Sequence, residues 1–176
     1  SATFDGFGRI RSQAPDDGML SSWSYGADDR ATPGVPTGTS VCLTQEDGYG
    51  ACTYYDDAER AWENEATGFD GTMVVRKRVF NRFGHPSRIH RPGFEGASAY
   101  RTDTTFDTLG RPVRVVDPDQ ATTEIRYDLF ETRRWDASGH ESYVHHDADG
   151  RVDETGHVTD GLTVRTTFTY GPFHQL

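Results

Sequence analysis

Histidine and carboxylate side chains concentrate in one short stretch, YVHHDADGRVDETGH, residues 143–157. Carboxylates bind Ca²⁺, and imidazole combined with carboxylate binds Zn²⁺, so the stretch is a candidate metal site. Its potential ligands are His145, His146, Asp147, Asp149, Asp153, Glu154 and His157. Asp147, Asp149 and Gly150 match part of a calcium loop, but the later glutamate of an EF-hand loop is missing. The same Asp149-Gly150 pair fits a hairpin turn, so we predict turn chemistry and neither metal nor cofactor.

Catalytic patterns are missing from the sequence. It contains no nucleophile elbow, no HExxH, no P-loop and no glycine-rich dinucleotide fingerprint. Adjacent acids such as Asp28-Asp29 and Asp56-Asp57 would point to opposite faces of a strand and could not share one substrate bond. Asp117-Pro118-Asp119 fits an ordinary turn. We therefore predict no catalytic residues and no enzymatic activity.

Cys42 and Cys52 flank the segment LTQEDGYGA, which is typical of a hairpin with its turn near Asp47-Gly48. Residues whose numbers sum to 94 would face each other across such a turn, and the two cysteines meet this condition. A cross-strand disulfide is then allowed if the Cα separation suits it. The alternative is two free buried thiols. An extracellular location would permit the bridge.

Composition favours strands and limits the choice of partner. The chain has 176 residues, 34% of them hydrophobic, a mean hydropathy of -0.74, and 19 glycines and eight prolines that supply turns. A net charge of -10 argues against nucleic acid or an anionic membrane as a partner, since both need a basic surface. No apolar run approaches the length of a membrane span.

A six-residue motif recurs along the chain: an aromatic residue, Asp, two variable residues, Gly and Arg. Eight copies, some decayed, lie near residues 4–9, 25–30, 55–60, 80–85, 106–111, 127–132, 146–151 and 170–175. A period in the twenties is typical of a repeat array, so we predict one array over residues 1–176, cut from a longer protein. The predicted structural positions are Phe4, Asp5, Gly8, Arg9, Tyr55, Asp56, Phe80, Gly84, Phe106, Asp107, Gly110, Arg111, Tyr127, Asp128, Asp147, Gly150, Arg151 and Tyr170.

The segments between the turns alternate in polarity, which predicts half-buried strands. In RPVRVV, Val113 and Val115 share one face and Arg114 points away. The sequence of residues 54–66 could also form a helix, but its motif register favours strand and turn. Gly8, Gly84, Gly110 and Gly150 are expected to reverse hairpins with positive φ. The copies with Asp29, Glu59, Glu131 or His174 at that position should use another turn type or carry strain.

The motifs FDGFGRI, YYDDAER, FDTLGRPVRVVDPD and YGPFHQL resemble the YD repeats of Rhs proteins. Similar repeats occur in the B and C components of bacterial toxin complexes and in teneurins. The resemblance implies an all-β array of antiparallel hairpins that forms part of a curved or spiral sheet. In that family the sheet is a hollow shell around a toxic C-terminal polypeptide. It therefore implies a structural wall segment of a secreted, cell-surface-associated protein, with the remaining repeats and an enclosed toxin domain as partners.

A second function class remains open from the residues. An extracellular repeat module could bind carbohydrate or a partner protein through exposed aromatic rings beside hydrogen-bond acceptors. An exposed planar row of Trp23, Trp62 or Trp135 would favour this function. Burial of these rings would favour the structural wall.

Overall fold

Sequence alternation produces an all-β protein, and the predicted fold class is confirmed. The structure is a computed structural model that describes residues 1–15, 18–28, 38–94, 100–159 and 161–171. Every regular element among these residues is a β-strand. Residues 54–66 form the end of one strand, a turn and the next strand, so the strand-and-turn prediction is confirmed there.

The chain divides into two compact units, Ser1–Arg101 and Thr102–Leu176, which are described separately. The first unit contains nine described strands. They are β1 Ala2–Phe4, β2 Ile10–Gln13, β3 Ser21–Asp28, β4 Gly38–Gln45, β5 Gly50–Tyr55, β6 Ala61–Thr67, β7 Met73–Phe80, β8 Pro86–His90 and β9 Gly93–Phe94. Turns that contain Gly, Asp or Asn follow β1, β4, β5, β6 and β7.

The second unit continues the pattern with strands of five to eight residues. They are β10 Arg101–Phe106, β11 Pro112–Val116, β12 Thr122–Tyr127, β13 Glu131–Trp135, β14 Glu141–His146, β15 Val152–Thr159 and β16 Leu162–Thr167. Within each unit, consecutive strands pair antiparallel along the chain, and the short β9 pairs with β7. Each unit is therefore a meander in which alternate turns lie at the same edge of its sheet.

One sheet face of each unit carries fewer charged side chains than the other. Cross-strand partners share a face, and in the first unit one such row is Trp23, Leu43, Ala51, Ala66 and Val74. The row beside it points to the opposite face and contains Ser24, Cys42, Cys52, Glu65 and Val75. In the second unit Val115, Thr123, Ile125 and Tyr127 are half-buried while Arg114, Glu124 and Arg126 are exposed, as the alternation predicts.

Few side chains are fully buried. Trp62, at 7% exposure, is the one hydrophobic residue classed as buried among those the structure describes. Asp56 and Glu63 are buried polar residues, and Lys77 Nζ lies 3.0 Å from Glu63 Oε2. Stability must therefore come mainly from strand ladders, cross-strand contacts and turns rather than from a packed interior.

Five hairpins carry a β-bulge at the same place. In each, the register shifts between the pair of residues that flanks the motif turn and the neighbouring pair along the strands. The flanking pairs are Phe4↔Ile10, Tyr55↔Ala61, Phe80↔Pro86, Phe106↔Pro112 and His146↔Val152. A bulge adds one residue to one strand and increases the local twist. Strands β12 and β13 flank the motif copy that lacks Gly-Arg, and their register has no shift.

Positive backbone φ occurs at the predicted glycines: +77° at Gly8, +85° at Gly84, +80° at Gly110 and +79° at Gly150. Glu59 takes the same conformation at +58°, so this motif copy keeps the turn type with a non-glycine residue. At Glu131 the turn is instead shorter, and Asp128 N donates to Glu131 O. Asp29 and His174 lie outside the described residues. The described residues contain no helix that is long and apolar enough to cross a membrane.

We expect Gly110→Val to lower the free energy of unfolding by about 1 to 2 kcal/mol, because a β-branched side chain is strained at positive φ. Thr105→Val is the control, since it places the same side chain at an exposed position of the preceding strand. Urea unfolding of both variants measures the difference. Equal stability of the two variants would contradict the turn requirement.

Candidate functional site

The motif turn is a five-residue loop closed by its own aspartate. In the turn 107–111, Asp107 N donates to Arg111 O at 2.9 Å and Gly110 N donates to Asp107 O at 3.1 Å. Asp107 Oδ1 accepts from the backbone N–H groups of Leu109 and Arg111, both at 2.9 Å. Its second oxygen accepts from Arg111 Nε at 2.8 Å. Both carboxylate oxygens are therefore used within the loop.

The same bonding pattern recurs in the turns that begin at Asp5, Asp56 and Asp147. There the Nε of Arg9, Arg60 and Arg151 donates to the second carboxylate oxygen. The turn at Asn81 keeps the backbone pattern, and Asn81 Oδ1 accepts from Phe83 N and His85 N. Four motif copies that differ at their variable positions thus form one structure. The Asp, the positive-φ residue and the Arg define that structure.

Hydrogen bonds hold these carboxylates in the ionised form. The Arg111 backbone N–H is the main cause of the lowered pKa of Asp107, helped by the Arg111 guanidinium and the Leu109 N–H, while partial burial opposes them. At Asp147 the Arg151 side chain is the main cause of the lowered pKa. A charged carboxylate that accepts hydrogen bonds from several N–H groups stabilises the turn strongly.

The motif arginine also contacts the next repeat. Arg111 places its guanidinium 4.3 Å from the ring centroid of Tyr127, the aromatic residue of the following motif. The register explains this contact, because β11 leaves the turn at Arg111 while the antiparallel β12 arrives at the same edge with Tyr127. The equivalent pairs are Arg9 over Tyr25 at 4.2 Å, Arg60 over Phe80 at 4.6 Å and Arg151 over Tyr170 at 5.0 Å.

A tyrosine hydroxyl adds a second link at three of these contacts. Tyr127 Oη donates to Pro112 O at 3.0 Å, and Pro112 directly follows Arg111. Tyr25 Oη donates to Ile10 O at 3.0 Å, and Tyr170 Oη donates to Val152 O at 2.6 Å, at the same offset. At four places in the described chain a motif arginine therefore contacts the aromatic ring of the next motif, and at three of them a tyrosine hydroxyl also bonds a backbone carbonyl.

The sequence identified the motif residues and predicted that the motif aromatic contacts its neighbours in adjacent repeats, while the Asp accepts backbone N–H groups in the turn. The arginine was missed, because no partner was assigned to Arg9, Arg111 or Arg151. The available signal was the fixed place of Arg after the turn glycine together with an aromatic residue at the head of the next motif. Tyr127 and Asp128 belong to the sixth motif copy but form the shorter loop, in which Arg126 Nε lies 3.3 Å from Asp128 Oδ2.

Three of the second turns use the same backbone loop with the aspartate at the third position, whereas the turn 136–140 keeps Asp136 at the first position. In the turn 117–121, Asp117 N donates to Ala121 O, Gln120 N donates to Asp117 O, and Gln120 has φ +69°. Here the closing carboxylate is Asp119, which accepts from Ala121 N. Asp47 and Asp70 hold the equivalent position in their turns. Asp117-Pro118-Asp119 is thus a turn in the structure.

The residues of the stretch 143–157 separate into two groups. Asp147 and Asp149 belong to a motif turn, where both contact Arg151. His145, Asp153 and Glu154 lie on strands, where His145 Nδ1 is 2.6 Å from Asp153 Oδ1 and Tyr143 Oη donates to Glu154 Oε1. Among the described residues, no group of three or more His, Cys, Asp or Glu side chains has a geometry that could hold a metal ion.

Cys42 and Cys52 are directly opposed in the register of β4 and β5. They form a disulfide with a Cα separation of 4.1 Å. Of the tryptophans, Trp62 is buried and Trp23 and Trp135 are half-buried. The rings do not form an exposed row, which favours a structural role over a binding stripe.

Two solved structures of toxin complexes have a fold similar to that of this chain. TcdB2-TccC3-Cdc42 and TcdB2-TccC3 without hypervariable C-terminal region each align at a TM-score of 0.59 and 13% sequence identity. The chain shares its fold with these toxin complexes. Each alignment covers 88% of this chain and 9% of the matched chain, so this chain spans less than a tenth of their length. No protein-family model and no curated protein matches the sequence.

This shared fold agrees with the resemblance of the motifs to the YD repeats of Rhs proteins. At 13% identity the likeness concerns the fold, while the motif residues carry the resemblance in sequence.

The link between repeats can be tested with Arg111 and Tyr127. We expect Tyr127→Phe to lower the free energy of unfolding by about 1 kcal/mol through loss of its hydrogen bond. Arg111→Lys should cost about as much, because lysine cannot bind Asp107 and stack on Tyr127 in the same way. The double variant should be less destabilised than the sum of the two, as expected for residues in contact.

Arg114→Lys and Tyr49→Phe are the matched controls, since Arg114 is exposed with its nearest carboxylate 4.0 Å away and Tyr49 is an exposed turn residue. Urea unfolding gives all the stabilities. Additive effects of Arg111→Lys and Tyr127→Phe would contradict the proposed coupling.

Proposed function

We propose that this chain is a wall segment of a shell of the Rhs and toxin-complex type, which encloses a toxic C-terminal polypeptide. The observation that carries the proposal is the repeated link in which a motif arginine closes its own turn and stacks on the next motif aromatic. A wall must be long and stable without a thick interior, and nearest-neighbour links between repeats supply that stability. The shared fold with TcdB2-TccC3 supports the same role.

We assign the sheet face with fewer charged side chains to the enclosed polypeptide. In the second unit this face presents Val115, Tyr127 and Val144 in cross-strand rows with threonines, while Ile125 lies opposite Arg134. The opposite face presents ion pairs such as Arg133 with Glu131 and Glu141, which suit water. A half-buried apolar face can contact an unfolded chain without a specific sequence, because burial of apolar surface is non-directional.

The remaining assignments follow from this role. We propose one array of about eight repeats over residues 1–176, joined to further repeats of the same polypeptide and without enzymatic activity of its own. The Cys42–Cys52 disulfide is suited to an oxidising, extracellular location. One of the matched structures is described as lacking a hypervariable C-terminal region, which fits a shell whose enclosed segment varies.

Protease protection tests the wall function in the polypeptide that naturally carries this segment. We expect the region C-terminal to the repeats to resist protease in the native protein. Arg111→Glu should open the sheet, because it puts two carboxylates in one turn, and should make that region sensitive. Thr105→Glu, at an exposed strand position opposite Arg114, should leave the protection unchanged. A C-terminal region that is equally sensitive in the native protein would contradict the enclosure.

A second candidate function, carbohydrate binding, is favoured by one concave surface. A shallow trough of about 580 Å³ on the second unit includes Trp135, Glu124, Arg114, Arg126 and Thr105 among its lining residues. An indole face can stack on a pyranose ring while carboxylate and guanidinium groups bond its hydroxyls. This trough is local and does not require the wall function.

The test for this candidate is calorimetric titration with neutral and acidic oligosaccharides. If the trough binds sugar, Trp135→Ala should weaken saturable binding at least about tenfold. Phe69→Ala, which removes a fully exposed aromatic ring, should leave it unchanged. No saturable binding to the wild-type chain at millimolar sugar would exclude this candidate.

A further inference from the structure

His145 lies at the centre of a group of carboxylates on one sheet face of the second unit. Its Nδ1 is 2.6 Å from Asp153 Oδ1. In the strand register it stands directly opposite Glu131 of β13 on one side and Glu154 of β15 on the other. Three carboxylates on two neighbouring strands therefore surround one imidazole.

The other charged groups nearby are already engaged with these carboxylates or with each other. On β13, Arg133 pairs with Glu131 and also with Glu141 of β14. On β14, Tyr143 donates its hydroxyl to Glu154 at 2.6 Å, and on β16 Arg165 lies 3.7 Å from Glu154. The ring of Phe130, just before β13, lies 6.4 Å from the imidazole. The local environment of His145 is thus acidic on both flanking strands, with Arg133 and Arg165 as the nearby cations.

Such an environment favours the imidazolium form. The hydrogen bond to Asp153 is the main cause of the raised pKa of His145; burial opposes it, and the charges of Asp153, Glu131 and Glu154 add to the rise. A pKa that is higher in the folded than in the unfolded state stabilises the fold at low pH. The stabilisation is complete below the unfolded histidine pKa of about 6.5 and is lost as the pH rises through the folded value.

We propose that His145, Asp153, Glu131 and Glu154 form an acid-strengthened clasp across β13, β14 and β15. In mildly acidic surroundings the imidazolium ties the three strands together through the carboxylates on both sides. At neutral and alkaline pH the imidazole becomes neutral, the carboxylates lose their shared cation, and these strands are held less strongly. The clasp therefore makes the second unit firmer in acid and looser after a return to neutral pH, whether or not the chain serves as a shell wall.

The three tryptophans allow each unit to report separately. With 5-fluorotryptophan, the Trp135 resonance reports β13, while Trp23 and Trp62 report the first unit. Urea unfolding of the full chain is followed at about pH 6 and about pH 8, a range that brackets histidine and leaves carboxylates ionised. We expect the Trp135 midpoint to be lower at the higher pH in the wild-type chain. His145→Gln should abolish most of this difference.

His157→Gln is the matched control, because His157 is an exposed residue of β15 that points to the opposite face. It should keep the wild-type pH dependence. Asp153→Asn should reduce the dependence and shift the NMR titration of the His145 ring to lower pH, which tests the clasp even if His145→Gln folds poorly. The proposal would be overturned if His145→Gln kept the pH dependence of the wild-type chain, or if Asp153→Asn left the NMR titration of the His145 ring unchanged.

Discussion

The stacking of a motif arginine between its own aspartate and the next aromatic ring is the interaction on which the rest of the structure depends. Arg111 closes the turn through Asp107 and lies on Tyr127, so one side chain fixes both a hairpin and its neighbour. A partly exposed cation–π contact contributes only about 0.5 to 1 kcal/mol. The contribution to stability grows with the number of such contacts, because in a repeat protein each repeat contacts mainly its neighbours and the small free energies of these contacts add up.

This arrangement explains how a chain with so little buried hydrophobic surface can hold a long sheet. Within each unit the strands contact the strands next to them in the sequence, and Trp62 is the buried hydrophobic residue of the described chain. In each unit one sheet face carries few charged side chains, while the other carries ion pairs and, in the first unit, the disulfide. The sheet is therefore amphipathic, which suits a wall with different surroundings on its two sides.

A single turn design serves both edges of the sheet. The motif turn at Asp107 and the second turn at Asp117 share the same two backbone hydrogen bonds, although the closing carboxylate sits at the first position in one and the third in the other. Of these two turns, the one at Asp107 has an arginine at its fifth position, and Arg111 contacts the next aromatic ring; the other has Ala121 there. Where the motif has Glu131-Thr132 in place of Gly-Arg, the loop is shorter and the register has no bulge.

The sequence alone determined the strands, the turn glycines and the repeat, because these depend on local preferences. The alternation of polar and apolar residues placed Val115 and Ile125 on one face of the sheet. Glycine adopts the φ of +80° at Gly110 without the strain that other residues would carry. The sequence also placed Cys42 opposite Cys52, since a hairpin register follows from its turn. The tertiary structure decided which arginine meets which ring, and that His145 meets Asp153, Glu131 and Glu154. Those contacts join residues of different hairpins or strands, and they depend on sheet register and bulges that no local pattern specifies.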